Sequence, residues 1–411
     1  MLTDEELLLK IEESTQNAIH HQDETLRSIL RRQCGVRYLR RYLSPADDDA
    51  AAFKRTVPLS CYDDYADYIN QMADGGQLDE QPLLSVDPLV CFFYSSGTNS
   101  VNMKPKLVPY FDSSLSKAAS FIAHQGASAI LRRSFPLRCE VNKVLSFLYA
   151  GNVSTTKGGF KAMAASSYPF HFNTNAVLQN LRSTSPREVF LGSNIEQQMY
   201  SHLLCSLRNC DLIDGIQAAY AVGLTRAFSL LESRWEQLCN DIEHGILSLE
   251  VDDVAMRDSV NEVLGGSQPS LSKRLRLVFE NKNWKGIVSK LWPNVRYVKC
   301  VTTGSMMQYY SKLKFYAGEV PVLGGDYFAS ECSIGLNLDS KQPPEKTKYV
   351  MLPTAAYFEF LPFDTNENKV VGEEIYDFAG VEVGKFYELV VTTYRGFYRY
   401  RLGTFQWKRY R

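Results

Sequence analysis

The sequence predicts a layered α/β protein carrying a β-rich subdomain, and three observations predict it. Helical spacing of apolar residues dominates residues 3–33 and much of the middle of the chain. Short apolar runs between these segments read as buried strands, and beyond about residue 295 closely spaced strands take over. No repeat occurs at the periods expected of solenoids or propellers. The chain has 411 residues, 45% hydrophobic and 22% charged, enough to bury a sizeable core. Its 45 Lys+Arg against 46 Asp+Glu supply no global field for gathering nucleic acid or an anionic membrane.

The elements follow in order. Thr3 and Glu6 form a capping-box pattern, and Leu7, Leu8, Ile11, Ala18, Ile19, Leu26, Ile29 and Leu30 continue a helical opening segment. Gly75-Gly76 marks a turn ahead of Leu89-Val90-Cys91-Phe92-Phe93-Tyr94, a short buried strand that runs into a loop. Leu224, Ala227, Phe228, Leu231, Trp235, Leu238 and Ile242 place one apolar stripe on a long helix ending near Gly245. Strands are then expected at Arg296 to Val301, Val320 to Leu323, Tyr349 to Leu352, Tyr357 to Leu361 and Tyr387 to Tyr400. Nine cysteines scattered from Cys34 to Cys332 show no zinc or redox spacing. Together with an acidic N-terminus unlike a signal peptide and no membrane-length apolar run, they fit a soluble cytoplasmic protein with reduced thiols.

Four segments carry the residue types of a chemical site. Tyr94-Ser95-Ser96-Gly97-Thr98, with Lys104 and Lys106 after it, is a hydroxyl-rich loop at a strand end that either turns the chain or cradles phosphate; it is not a Walker loop. Thr303-Gly304-Ser305 follows the strand ending at Val301 and either starts a helix or admits a ring or ribose against the backbone. Asp326-Tyr327-Phe328-Ala329-Ser330-Glu331 sets two aromatics beside a carboxylate, for core packing and a helix start or for base stacking and Mg²⁺. In Gly396 to Gly403, strand alternation places Arg399 and Arg401 on one face with Phe397, facing solvent or phosphate. No H-E-x-x-H, G-x-S-x-G or Rossmann glycine motif occurs, and His202, one helical turn from Cys205, reads as a core histidine.

In this order the segments resemble the plant acyl-acid amido synthetases of the auxin-responsive Gretchen Hagen type, a branch of the adenylate-forming, firefly-luciferase-like enzymes. The resemblance rests on Y-S-S-G-T from Tyr94, Q-M-Y-S-H-L-L-C-S-L from Gln198, W-K-G-I-V-S-K-L-W-P-N from Trp284 and T-T-G-S-M-M-Q-Y from Thr302. It continues through F-A-S-E-C-S-I-G-L-N-L from Phe328, Y-F-E-F-L-P from Tyr357 and V-V-T-T-Y-R-G-F-Y-R-Y-R-L-G from Val390. It implies the large N-terminal domain of such an enzyme, with an adenylating core over 1–335 and a β-rich subdomain over 336–403. The implied reaction uses ATP and Mg²⁺ to activate a small acid of the jasmonate, indole-3-acetate or benzoate class, then joins it to an amino acid. A monomer with neither nucleic acid nor membrane as partner is implied as well.

The same resemblance assigns Ser95, Ser96, Gly97 and Thr98 to a phosphate loop, with Ser96 among the catalytic groups. Gly304 and Ser305 fall beside adenosine, Tyr327, Phe328 and Ala329 along the nucleotide, Arg401 among the nucleotide-binding groups, and Glu331 toward catalysis and the metal. The acid is implied to lie along the helix near Ser116 to Ile130 and against Thr156, Gly159 and Phe160. That helix has no arginine before Arg132, where some benzoate-using members carry one. Three features depart from the family. Asn99 to Lys104 is two residues longer than usual and lacks glycine, Thr404 stands where the family has a ribose-binding aspartate, and residues 404–411 read as an atypical tail in place of a further mobile domain. An adenylating half-enzyme or a non-catalytic remnant is therefore the alternative expectation.

Overall fold

The computed structural model describes residues 2–44, 49–76, 81–95, 106–172, 181–247, 251–372 and 374–408, without the side chains of 404–408. Helix α1 (Asp4–Gln16) opens with the expected capping box: the Thr3 hydroxyl accepts from the Glu6 N–H at 3.2 Å, and the Glu6 carboxylate accepts from the Thr3 N–H at 2.7 Å. A second helix, α2 (Ala18–Gln33), follows where the sequence pattern suggested one continuous segment. Asn17 divides them at φ −102° and ψ 32°, as suits a side chain that competes for backbone hydrogen bonds in a helix interior. Helices α3 (Ala50–Thr56) and α4 (Asp63–Ala73) complete the N-terminal layer. Helix α5 (Ser114–Ser134) is capped by the Ser113 hydroxyl, which accepts from the Ser116 N–H.

Strands β1 (Leu89–Tyr94), β2 (Leu107–Phe111), β3 (Lys143–Phe147), β4 (Val153–Thr155), β5 (Lys161–Met163), β6 (Ile213–Tyr220), β7 (Tyr297–Val301) and β8 (Val322–Gly324) build two four-stranded sheets. One is mixed, ordered β2-β1-β5-β4, with β1 antiparallel to β2 and parallel to β5. The other is parallel, ordered β3-β6-β7-β8, and the helices Ile195–Arg208 and Ala221–His244 bury their apolar faces in its core. The longer helix ends on Gly245 at φ 71°, and a Cβ there would come within 2.1 Å of the Gly266 carbonyl carbon. Only glycine meets both conditions.

Strands β9 (Tyr327–Phe328), β10 (Ser333–Leu336) and β11 (Val350–Met351) form a small antiparallel sheet. Strands β12 (Tyr357–Asp364), β13 (Lys369–Val370), β14 (Phe386–Thr392) and β15 (Tyr400–Lys408) form another, ordered β13-β12-β14-β15. Residues 404–408, expected to be an atypical tail, continue β15, where Lys408 pairs with Phe386 and Gln406 with Glu388. Nor do the strands after residue 336 stand apart. Phe358, Phe360, Leu389 and Tyr400 share one buried cluster with Leu26, Ile29, Tyr65 and Phe92. Gln22 stitches the two ends of the chain together, donating to the carbonyls of Pro353 and Ala356 and accepting from the Phe358 N–H at 2.7 Å. All nine cysteines are free, and no described helix is long and apolar enough to cross a membrane.

A single continuous strand from Tyr387 to Tyr400 is not formed. Between β14 and β15 the chain leaves the sheet, with Gly396 at φ 82° and Arg399 at φ 49°, so the inferred alternation of Phe397, Arg399 and Arg401 fails. A Cβ on Gly396 would lie 2.6 Å from the Leu84 carbonyl oxygen. Arg399 turns inward instead of facing solvent. Its guanidinium is bidentate on Glu359 at 2.8 and 2.9 Å, and its Nη1 donates to the carbonyls of Lys54 and Val57 at the end of α3. The two side chains are 7% and 4% exposed. Arg401 pairs with Glu388 at 2.7 Å but is itself 42% exposed.

These two pairs differ in what their loss costs. Glu359→Gln leaves the Arg399 cation buried and uncompensated, and is expected to lower unfolding free energy by about 3–5 kcal/mol. Glu388→Gln releases an arginine that water already reaches, and should cost about 1 kcal/mol or less. Urea denaturation of both variants measures the difference.

Candidate active site

The hydroxyl-rich loop is anchored at both ends by the β1–β2 pair. Tyr94 lies opposite Leu107, and the Ser95 N–H donates to the Lys106 carbonyl at 2.9 Å. The Tyr62 hydroxyl accepts from the Leu107 N–H at 3.0 Å, and the Lys106 ammonium lies 5.0 Å from the Tyr62 ring centre. Ser96, Gly97 and Thr98 lie outside the described residues. What the structure supplies is the base of the loop.

The second and third segments meet through Tyr349. Thr303 precedes a 3-10 helix (Gly304–Tyr309), with Gly304 at φ 60° and no atom within 4 Å of the place a Cβ would occupy. The Thr303 hydroxyl and the Tyr349 hydroxyl are 2.9 Å apart, and the Tyr349 ring lies 5.4 Å from that of Tyr327. Gly304 and Ser305 are thereby joined to the strand carrying Tyr327, Phe328 and Ala329. Beneath them Lys299 pairs with Asp326 at 3.2 Å, and Asp326 also accepts from the Asn337 N–H. Phe328 packs on His124 of α5, with ring centres 5.0 Å apart.

Glu331 does not begin a helix. It lies in the turn between β9 and β10, where the Ala329 N–H donates to the Cys332 carbonyl at 2.9 Å. The side chain is buried at 7% exposure, and the Ser330 hydroxyl donates to Oε2 at 2.8 Å. Burial pushes this carboxyl above the ordinary glutamate range, against the opposing pull of the Ser330 hydroxyl, its own backbone N–H and the cations Arg395 and Lys106. Lys106 therefore relates Glu331 to the base of the loop.

Arg395 is the group that the sequence reading passed over. Its Nε and Nη2 donate to the hydroxyls of Ser116 and Ser120 on α5, both at 3.2 Å, and its Nη1 to the Ser330 carbonyl at 2.7 Å. Ser116, Ser120, Glu331, Thr393 and Arg395 line one narrow polar cleft. The available signal was an arginine directly before a glycine between two apolar strands. Alternation drew attention to Arg399 and Arg401 instead. Among the described residues no contact joins the Arg401 guanidinium to this cleft; its partner is Glu388.

Thr156, Gly159 and Phe160 form the tip of the hairpin between β4 and β5. The Phe160 N–H donates to the Thr156 hydroxyl at 3.1 Å, and Gly159 has φ 84°. The Phe160 ring stands edge-on to Phe92, whereas the next residue, Phe93, faces Tyr110 and Arg395. Since neighbouring strand side chains point to opposite faces, this hairpin contacts the face of β1 away from the Arg395 cleft. The structure does not bring the two groups of residues together there. His202 is a core residue: its Nδ1 is 2.8 Å from the Ser185 hydroxyl, and burial pushes its pKa down to about 3.

Comparison with known proteins gives matches to one family over most of the chain. The GH3 family N-terminal domain matches residues 7–322, and the GH3 family central domain matches residues 349–405. A probable indole-3-acetic acid-amido synthetase, GH3.6, from Oryza sativa subsp. japonica is 53% identical over 224 residues, covering 53% of this chain and 46% of its own. A jasmonoyl–L-amino acid synthetase, GH3.5, from the same rice is 34% identical over 415 residues, covering 97% of this chain and 69% of its own. A solved structure described as the AtGH3.15 acyl acid amido synthetase in complex with 2,4-DB superposes with a TM-score of 0.86 at 29% identity. That match covers 98% of this chain and 67% of the other. The chain thus spans 46–69% of the lengths of these relatives.

The raised pKa of Glu331 has a consequence for stability. An unfolded glutamate ionises at its ordinary value, whereas the buried one resists ionising. The folded state is therefore penalised as pH rises above the ordinary value, and the penalty vanishes below it. Each unit of upward shift corresponds to about 1.4 kcal/mol at neutral pH. Glu331→Gln is expected to melt above the parent at neutral pH, with the gap narrowing as pH falls toward the ordinary glutamate pKa. Calorimetry across that pH range checks it, and a variant that melts lower at neutral pH would contradict the assigned cause.

Proposed function

The chain belongs to the GH3 family, and on that premise we propose that it is an ATP-dependent acyl-acid amido synthetase acting on a small carboxylic acid and an amino acid. The observation that carries this reading is the convergence of Glu331, the loop base at Ser95 and Lys106, and the Tyr327–Tyr349–Thr303 contact on one side of the fold. A nucleotide placed along that line has its ring beside Gly304, Ser305 and Tyr327, where no Cβ obstructs the backbone. Its phosphates then lie toward Ser95 and Lys106 at the loop base, and Ser96, Gly97 and Thr98, outside the described residues, are part of the same proposal. Phe328 and Ala329 line the path between the two ends.

Magnesium fits this donor set, because it binds through one or two carboxylates together with substrate phosphates. Glu331, a buried carboxylate with a single hydroxyl donor on Oε2, would hold the ion, whose charge would offset that on the phosphoryl oxygens. In the first step the acid's carboxylate oxygen attacks the α-phosphorus and the α–β bridge breaks, releasing pyrophosphate. Lys106 and the loop donors stabilise charge that develops on the phosphoryl oxygens. In the second, the amino acid's neutral amine attacks the acyl carbon, the bond from that carbon to the phosphate oxygen breaks to expel AMP, and the nitrogen's proton passes to solvent. Holding both partners in place supplies much of the rate.

The acid is proposed to be of the indole-acetate or jasmonate class, in keeping with the names of the relatives, or of the benzoate class. A cytoplasmic monomer is part of the same proposal, and nine free cysteines suit a reducing compartment. Incubation with ATP, Mg²⁺ and a panel of these acids is expected to release pyrophosphate only when acid is present, and added amino acids to yield conjugate. ATP with Mg²⁺ should also raise the melting point, by the equivalent of about 2.7 kcal/mol at a hundredfold excess over Kd. Acid-dependent pyrophosphate without conjugate would reduce the activity to adenylation. Neither release nor a melting shift would overturn the reading.

A further inference from the structure

Arg395 lines the cleft, and its charge meets no paired carboxylate among the described residues. A guanidinium has five N–H donors. Three are used, on the hydroxyls of Ser116 and Ser120 and the carbonyl of Ser330, all of them neutral acceptors. One N–H on each terminal nitrogen remains. Its Cζ sits 5.1 Å from the Tyr110 ring centre and 5.8 Å from that of Phe93, contacts that favour a cation without neutralising it. No carboxylate forms an ion pair with it among the described residues. Glu331 is near enough to interact electrostatically but is turned to the Ser330 hydroxyl. The segment 96–105 contributes no Asp or Glu either.

Two other arginines of the fold, the buried Arg399 and the half-buried Arg296, give the contrast. Arg399 is bidentate on Glu359, and Arg296 is bidentate on Asp214 at 2.7 Å to each oxygen. In both of these the chain supplies a carboxylate, Asp214 serving Arg138 as well. Arg395 is instead held by three neutral acceptors from two elements, which fix the plane of the fork and leave its charge for something else. Burial pushes its pKa below the usual arginine value, as expected of a cation short of counter-charge.

We propose that Arg395 is the anchor for the carboxylate of the acid substrate, bound by the two spare N–H groups of a guanidinium that Ser116, Ser120 and Ser330 hold in place. The inference rests on the adenylating reading of the site and adds to it a specificity-determining residue. The position suits the chemistry. Arg395 and Glu331 line the same cleft, so a carboxylate gripped there lies beside the group proposed to hold Mg²⁺. The anchor would offset repulsion between the carboxylate and the phosphates while leaving one face of a carboxylate oxygen open for attack. Small side chains, the hydroxyls of Ser116 and Ser120 and the methyls of Ala119 and Ala355, surround the guanidinium in the cleft.

The test uses the full chain, its Arg395→Gln and Arg395→Lys variants, and matched acid and amide probes: benzoate with benzamide, and indole-3-acetate with indole-3-acetamide. Binding is measured directly by titration calorimetry, so that it does not depend on turnover. The parent is expected to prefer each acid over its amide. Arg395→Gln should weaken acid binding by about tenfold to a hundredfold while leaving amide binding and ATP·Mg²⁺ binding within about threefold. Arg395→Lys should fall between, because a lysine keeps the charge and loses the fork. In the pyrophosphate assay the acid's KM should rise by a similar factor with the KM for ATP unchanged.

Equal acid binding by parent and Arg395→Gln would overturn the proposal, as would failure of the parent to bind either acid. Loss of ATP binding in place of acid binding would assign the anchor to phosphate and overturn it too. Parallel loss of acid and amide binding, with a lowered melting point, would make Arg395 a structural strut. If acids bind in the Arg395-dependent way but no pyrophosphate is released, the anchor stands and the adenylating reading fails.

Discussion

The buried Arg399–Glu359 pair is the contact on which the geometry of the cleft depends. Arg399 adopts φ 49°, a left-handed conformation unfavourable for a side chain of its size, so something must hold it there. The holding is done by Glu359 on β12, by the carbonyls of Lys54 and Val57 and by the Thr392 hydroxyl, which accepts from the Arg399 N–H at 2.9 Å. Its neighbours are fixed in consequence. The Ser60 N–H donates to the Arg399 carbonyl, the Tyr398 N–H donates to the Tyr65 hydroxyl, and the Tyr398 hydroxyl donates to the Leu84 carbonyl. The excursion between β14 and β15 is thus pinned to α3, α4 and the segment before β1. Arg395, at its other end, is directed toward α5.

Charge is distributed unevenly through this fold, and the unevenness follows function. Where arginine and carboxylate serve as joints, a carboxylate sits against each guanidinium: Glu359 against Arg399, and Asp214 against both Arg138 and Arg296. In the cleft, Glu331 and Arg395 lie near one another and neither closes a bond to the other. A buried carboxylate and a half-buried guanidinium whose charges are left unmatched lower stability. They also keep donors and acceptors available for a ligand that brings its own charges, such as phosphate with a divalent cation and a carboxylate. The surrounding hydroxyls of Ser116, Ser120 and Ser330 satisfy hydrogen bonds without cancelling charge.

Much of this was legible in the sequence where a local rule governs a local outcome. The capping box of α1, the apolar stripe ending at Gly245 and the strand Leu89–Tyr94 each depend on spacing within a few residues, and the structure has them. The recurring segments around Ser95, Thr303, Tyr327 and Glu331 could be found as a set, though only the fold shows that Tyr349 joins two of them. Alternation failed between Phe397 and Arg401 because a left-handed residue resets the register, and nothing local distinguishes such an arginine from one in a regular strand. Arg395 was missed for a related reason: its acceptors, Ser116, Ser120 and Ser330, are far away in the chain. The union of the N-terminal helices with the last strands in one core is likewise a long-range fact that composition does not carry.

The central claim is that nucleotide and acid meet in the cleft between Glu331 and Arg395, on the α5 side of β1. The most direct measurement is an experimental structure of this chain with Mg²⁺, benzoate and an ATP analogue whose α–β bridge is a methylene group, so that attack on phosphorus cannot expel pyrophosphate. The account predicts the benzoate carboxylate within hydrogen-bonding distance of both terminal nitrogens of Arg395, Mg²⁺ on Glu331 and the adenine ring beside Tyr327. Benzoate seated at the Phe160 hairpin on the opposite face of β1, or a nucleotide bound away from Tyr327 and Glu331, would contradict it.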